Sequence, residues 1–180
     1  MACNIYSLSG LRNNCKESNI GGIKVVYVAP YDDVASVAVD AQTDMLTPTM
    51  VSGKKFAEYK LLKSTSSLTS TLNTSETSAS YFTNEVALQF SRLESAKRKE
   101  IMALMMAPCA VIVQDANGKY WYLGKDNYVE CSAGSAQTGT AFGDFNHYEL
   151  TLTDTSMELP YEVPASAIAS IIDPVEDAQA

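Results

Sequence analysis

His147 is the chain's single histidine, so any serine–histidine or cysteine–histidine nucleophile pair must use it. A general base needs placement as well as identity. Tyr148, Leu150 and Leu152 alternate with His147, Glu149 and Thr151, which predicts a strand with His147 on its polar, solvated face. Asp144 and His147 would give a metal two ligands, too few for a site. Asp115-Ala116-Asn117-Gly118 opens like a calcium loop but lacks the downstream acidic pattern, and a hairpin turn accounts for it better. Gly134 to Gly143 is glycine-rich, yet it has no Gly-Lys-Ser/Thr ending and opens no helix, so turn glycines are expected rather than a phosphate cradle. Cys3, Cys15, Cys109 and Cys131 show neither a CxxC pair nor metal-ligand spacing. Cys109, beside Pro108 and an apolar run, is expected as a buried inert thiol. Asn73-Thr74-Ser75 has the form of a glycosylation sequon without an export signal to accompany it. No catalytic, metal-binding or cofactor-binding residue is expected, and no enzyme.

The totals narrow the class further. Of the 180 residues, 46% are hydrophobic and 19% charged, a globular composition sufficient for one domain with its own core. The formal charge of -8 argues against holding nucleic acid by phosphate neutralisation. Acidic surface could instead line a channel past which DNA slides without sticking. Met1 to Gly10 shows neither the cationic nor the apolar region of a signal peptide. The longest near-apolar run, Ile101 to Val113, is about 13 residues and contains Pro108, too short to cross a bilayer. A soluble protein of a reducing cytoplasm is expected, while Cys3 and Cys15 could bridge in an oxidising compartment.

The elements that would position these residues are mostly strands. Residues 1–22 read as an N-terminal arm, and 173–180 as an acidic tail. Ile23–Val28, Val34–Val39 and Phe56–Lys63 are predicted strands, and Asp40–Lys55 a long loop of the kind that is usually functional or mobile. Leu61–Asn73 and Ser80–Phe90 are predicted as a long hairpin with a tip at Thr74–Ala79 and one polar face. Such a ribbon is marginal alone and must pack on a core or pair with a neighbour. Ser91 with Glu94 matches a capping box for a helix that Pro108 stops, with Glu94 paired to Arg98. Its first turns, with Lys97-Arg98-Lys99, are polar and its last two apolar all round, which predicts a plug entering the core end-on. Ala110–Val113 reads as a central strand, Asn117-Gly118 as a tight hairpin, Asn127–Ser132 and His147–Leu152 as strands, Ala133–Gly143 as a loop and Ala165–Ile172 as a short helix. Tyr120 and Tyr122 share one face and Trp121 the other, with Trp121 the expected core residue.

About eight strands, a single mid-chain helix, long loops and an empty catalytic inventory are similar to the tail-tube fold. That fold is the β-sandwich or barrel with one flanking helix of tube and ring proteins in tailed bacteriophages. Phe82 to Pro164 also resembles structural proteins of phages infecting Bacteroidetes. The resemblance rests on Val111-Ile112-Val113-Gln114-Asp115-Ala116-Asn117-Gly118-Lys119-Tyr120-Trp121-Tyr122-Leu123-Gly124, on Thr138-Gly139-Thr140-Ala141 and on Asp144 to Leu152. It covers the C-terminal half and the helix. It implies a virion tail protein, assembled in the host cytoplasm, whose copies close into rings, commonly hexameric, that stack into a tube. Strands of the long hairpin would line the passage, their edges hidden by pairing between subunits. Its partners would be itself and other tail proteins, with DNA passing unbound and no membrane. Candidate contacts between subunits are Met45, Leu46, Pro48 and Met50 in the long loop, Leu68 and Leu72 on the ribbon, and Lys97 and Arg98 on the helix. A neck or connector ring, or a capsid-associated protein, would look similar. The alternatives of other classes are a carbohydrate-binding β-sandwich using Tyr120, Tyr122 and Tyr128, and a small hydrolase using His147.

Overall fold

The computed structural model describes residues 19–75 and 80–174. The parts of the expected arm and tail at 1–18 and 175–180, and most of the ribbon tip, lie outside them, as do Cys3 and Cys15. The chain is mainly β with a flanking helix, as expected, and the sheets remain open rather than closing into a barrel.

The order is β1 (Ile23–Pro30), β2 (Val34–Val39), β3 (Leu46–Met50), β4 (Phe56–Lys60), β5 (Ser67–Thr74), β6 (Ser80–Ser91) and α1 (Ser95–Met106). There follow β7 (Cys109–Asp115), β8 (Tyr120–Leu123), β9 (Glu130–Gln137), β10 (His147–Ser156), β11 (Tyr161–Val163), α2 (Ala165–Ile171) and β12 (Ile172–Asp173). A six-stranded sheet runs β11-β8-β7-β1-β4-β12, a four-stranded sheet runs β5-β6-β10-β9, and β2 pairs β3 in a separate hairpin.

The six-stranded sheet is the middle of the molecule because its two central strands are apolar on both faces. Val26 and Val28 of β1, with Val111 and Val113 of β7, face one core together with Val86, Leu88, Leu150 and Leu152 of the four-stranded sheet. Tyr27, Ala29, Ala110 and Ile112 point the other way, into a second core shared with Leu46, Phe56, Val163, Ile168 and Ile171. Continuous apolar runs are the signature of strands covered on both sides. The turn between β7 and β8 comes from Asp115, whose Oδ1 accepts the Asn117 and Lys119 N–H groups, both at 2.9 Å. Gly118, at φ 87°, supplies the left-handed residue.

Four expectations are corrected. Asp40–Lys55 is not one loop: β3 lies inside it, paired with β2, and Leu46 is wholly buried. The strand expected to end at Ser132 continues to Gln137, so half of the predicted glycine loop is β9. The capping box does not form, since β6 extends through Ser91 and the helix begins at Ser95 with Glu94 making no side-chain cap bond. Glu94 pairs with Arg92 (3.2 Å) and Lys97 (3.6 Å), with no Arg98 ion pair among the described residues. Nor is α1 an end-on plug. Only Ile101 and Leu104 are buried in it, while Met102 and Met106 stay exposed. The helix lies instead across β9, where Gly134 lets it approach: a Cβ there would stand 2.6 Å from Met105 Cε.

Candidate assembly surfaces

His147, Asp144 and Cys109, weighed above for chemistry, each have structural contacts. His147 is buried rather than solvated, its ring stacked on Phe145 at 5.0 Å and its Nδ1 3.0 Å from the Phe145 carbonyl oxygen. Asp144 accepts the Ala141 and Thr140 N–H groups, both at 2.7 Å, and these bonds hold its carboxyl below the usual carboxylate range. Cys109 is buried as expected, and burial pushes its thiol up to about 11. Among the described residues no group of three His, Cys, Asp or Glu could hold a metal. Nor, among the described residues, is any helix long and apolar enough to cross a membrane.

The four-stranded sheet is where exposed, unfinished structure concentrates. Neighbouring strands in it are antiparallel throughout, so β5 and β10 run one way and β6 and β9 the other. Its two outermost strands, β5 and β9, are therefore antiparallel to each other. Each is eight residues long. Among the described residues no strand pairs with the outer edge of either. Unpaired strand edges are templates for another chain unless they are blunted by bulges, prolines or lysines. Here β5 has none of these, and β9 has a register shift opposite Thr151 and Leu152 but no proline or lysine.

The face turned away from the six-stranded sheet is polar. Thr69, Thr71, Glu85, Gln89, Glu149, Thr151 and Ser135 share it by register. None of β5, β6, β9 or β10 contains a lysine or an arginine, and their charged residues are Glu85, Glu130, Glu149 and Asp154. The opposite face carries one polar cluster. Asn84 Nδ2 donates to Ser156 Oγ (3.0 Å) and Asp154 Oδ2 (3.3 Å), which also accepts the Gly124 N–H (3.4 Å). Asn84 Oδ1 and Asp154 Oδ1 are buried without a partner there, as is the hydroxyl of Tyr122, a residue of the second core. Burial raises the Asp154 carboxyl above its ordinary value, against the lowering effect of the Asn84 bond. The signal for this cluster was a polar residue, Asn84, in the apolar phase of an alternating strand.

No protein-family model, curated protein or solved structure matches the chain.

The predicted contact residues divide. Leu46 and Pro48 are buried within the subunit and cannot touch a neighbour, which corrects the expectation for them. Met50 is half-buried against the second core and Leu68 against the first. Met45 is half-buried and bridges Glu162. Lys97, its side chain 40% exposed, donates to the Ser91 carbonyl oxygen at 2.7 Å and pairs with Glu94. Leu72, 58% exposed on β5, and Arg98, exposed on α1, remain available. The tyrosines do not form one sugar platform: Tyr122 is buried, Tyr120 stands against Tyr27 and Tyr128 against Tyr31. Trp121 is not core but half-exposed, its Nε1 donating to Asp115 Oδ2 at 3.2 Å. It lines an open groove of about 580 Å³ with Met45, Phe82, Leu159 and Tyr161, which spacing alone did not reveal.

Proposed function

We propose that this chain is a structural protein of a tailed-phage virion whose copies close into a ring, and whose rings build part of the tail around a passage for DNA. The supporting observation is the four-stranded sheet, with equal, open and mutually antiparallel edges at β5 and β9. A copy rotated about an axis along the strands brings its β5 beside β9 of the first, and the antiparallel pattern continues without a break. Such a contact is heterologous, and it makes a ring when the rotation closes. Closure abolishes the edges.

The sheet's polar face would then line the passage. Without lysine or arginine on its four strands, it offers the phosphate backbone nothing to neutralise, so DNA passes without being held. Stacking of rings falls to the exposed turns at 40–44 and 51–55 that flank β3, in place of the buried Leu46 and Pro48. The partners are other copies and other tail proteins. Neither a cofactor nor an enzymatic step is part of the role. A neck or connector ring would use the same edges, and it differs in leaving its rings unstacked.

Negative-stain images and light scattering of the pure protein test the proposal. Rings or tubes are expected. A protein that stays monomeric at every concentration would overturn it.

A further inference from the structure

The outer side of α1 and the 580 Å³ groove complement each other in shape and charge. Helical spacing sets Arg98, Met102 and Met106 in one stripe, with Lys99 beside it. Methionine is mostly a buried residue, yet Met102 is 43% exposed and Met106 78%. Arg98 and Lys99 are exposed and form no ion pair among the described residues.

The groove asks for an apolar occupant with positive charge. Met45, Phe82, Trp121 and Leu159 give it apolar walls, and its carboxylates are Asp44, Glu158 and Glu162. Lys125 holds Glu158 and Lys119 holds Glu162, each at 2.5 Å, while Asp44 forms no ion pair among the described residues. Of the two helices only α1 carries a lysine or an arginine. Its methionines suit an irregular hollow, because their flexible side chains adapt to its shape.

Helix and groove lie at opposite ends of one long strand. The groove meets β6 at Phe82, near its start, and α1 follows the end of β6 beyond Ser91. At about 3.3 Å per residue the strand between them spans roughly 30 Å. The helix of one copy therefore reaches the groove of another, in a head-to-tail contact between unlike patches.

We propose that α1 of one copy docks into this groove of a second copy, with Met102 and Met106 filling it and Arg98 or Lys99 beside Asp44. The contact uses neither β5 nor β9 and advances along the strands. Its place in stacking rings rests on the ring reading above; the contact itself does not.

The test is made in Leu72→Lys, which should block ring closure and leaves this contact untouched. Sedimentation of that chain over a concentration series should show self-association. Adding Asp44→Lys should weaken it by roughly tenfold or more, as should Arg98→Glu with Lys99→Glu, because like charges then meet across the contact. Mixing the two variants should restore association, since each groove again faces a helix of opposite charge. Asp44 stands at φ 56°, so Asp44→Asn, which tolerates that backbone, carries the test with Met102→Asp if Asp44→Lys does not fold. A Leu72→Lys chain that stays monomeric at every concentration would overturn the proposal. So would variants that associate like their parent, or a mixture that associates no better than its parts. Rings persisting in Leu72→Lys would contradict the edge contact instead, and the same charge reversals would still decide the docking.

Discussion

Asp154 is the residue whose surroundings suit its charge least. It sits between the sheets with one oxygen bonded to Asn84 and Gly124 and the other without a partner. Because burial raises its folded-state value, the native protein keeps this proton to a higher pH than the unfolded chain does. Stability attributable to the group therefore falls as pH rises from the ordinary carboxylate value through the raised one, and levels off above it. Urea denaturation at a series of pH values should show that decline, and Asp154→Asn should flatten it. An identical pH slope in both proteins would refute the assignment. Removing the acceptor altogether, as Asp154→Ala, leaves the Asn84 and Gly124 donors buried without it and should cost about 1–3 kcal/mol.

At the scale of elements, β3 and β5 carry opposite predictions. Leu46 of β3 fills the second core, so Leu46→Ala should lower unfolding free energy by about 2–5 kcal/mol in denaturant titrations. Deleting 43–51 should prevent folding, not merely assembly. Leu72 of β5 is exposed in the subunit. Leu72→Lys should therefore change subunit stability by less than about 0.5 kcal/mol while abolishing rings, because a lysine on a strand edge opposes pairing. Rings that persist in Leu72→Lys would place the contact elsewhere.

The same two strands explain what was legible in the sequence. β6, β7, β10 and α2 announce themselves by alternation, apolar runs or a proline boundary, all local signals. β3 hid because Leu-Thr-Pro-Thr-Met contains a proline and only five residues, and what makes it a strand is its pairing with β2. The capping box failed for a related reason. Asn146, far along the chain, takes the Arg92 and Leu93 N–H groups at 2.8 and 2.9 Å, so β6 runs on and the helix starts late. The aromatic phase of Tyr120-Trp121-Tyr122 was visible, but which face is core depends on α2 and β3 covering the tyrosine side. Of the contact residues, composition could pick out apolar and basic candidates. Only the packing separates Leu72 from Leu46.

For the whole molecule, two packed cores stand beside one four-stranded sheet whose outer edges are unpaired among the described residues. The six-stranded sheet is covered on both faces and ends in the short strands β11 and β12. Among the described residues the four-stranded sheet is covered on one face and ends in eight-residue open strands. Net charge of -8 keeps free copies apart by repulsion at low ionic strength, so assembly should strengthen as salt is raised toward screening lengths of about 8 Å. Scattering across a salt series would record it, and weakening with salt would speak against an uncharged backbone contact. The most direct measurement is an electron-microscopy reconstruction of the assembled protein. The account predicts one continuous antiparallel sheet around a central passage, with β9 of each copy hydrogen-bonded to β5 of the next and Glu85 and Glu149 facing inward. A ring closed through any other surface, with β5 and β9 still bare, would contradict it.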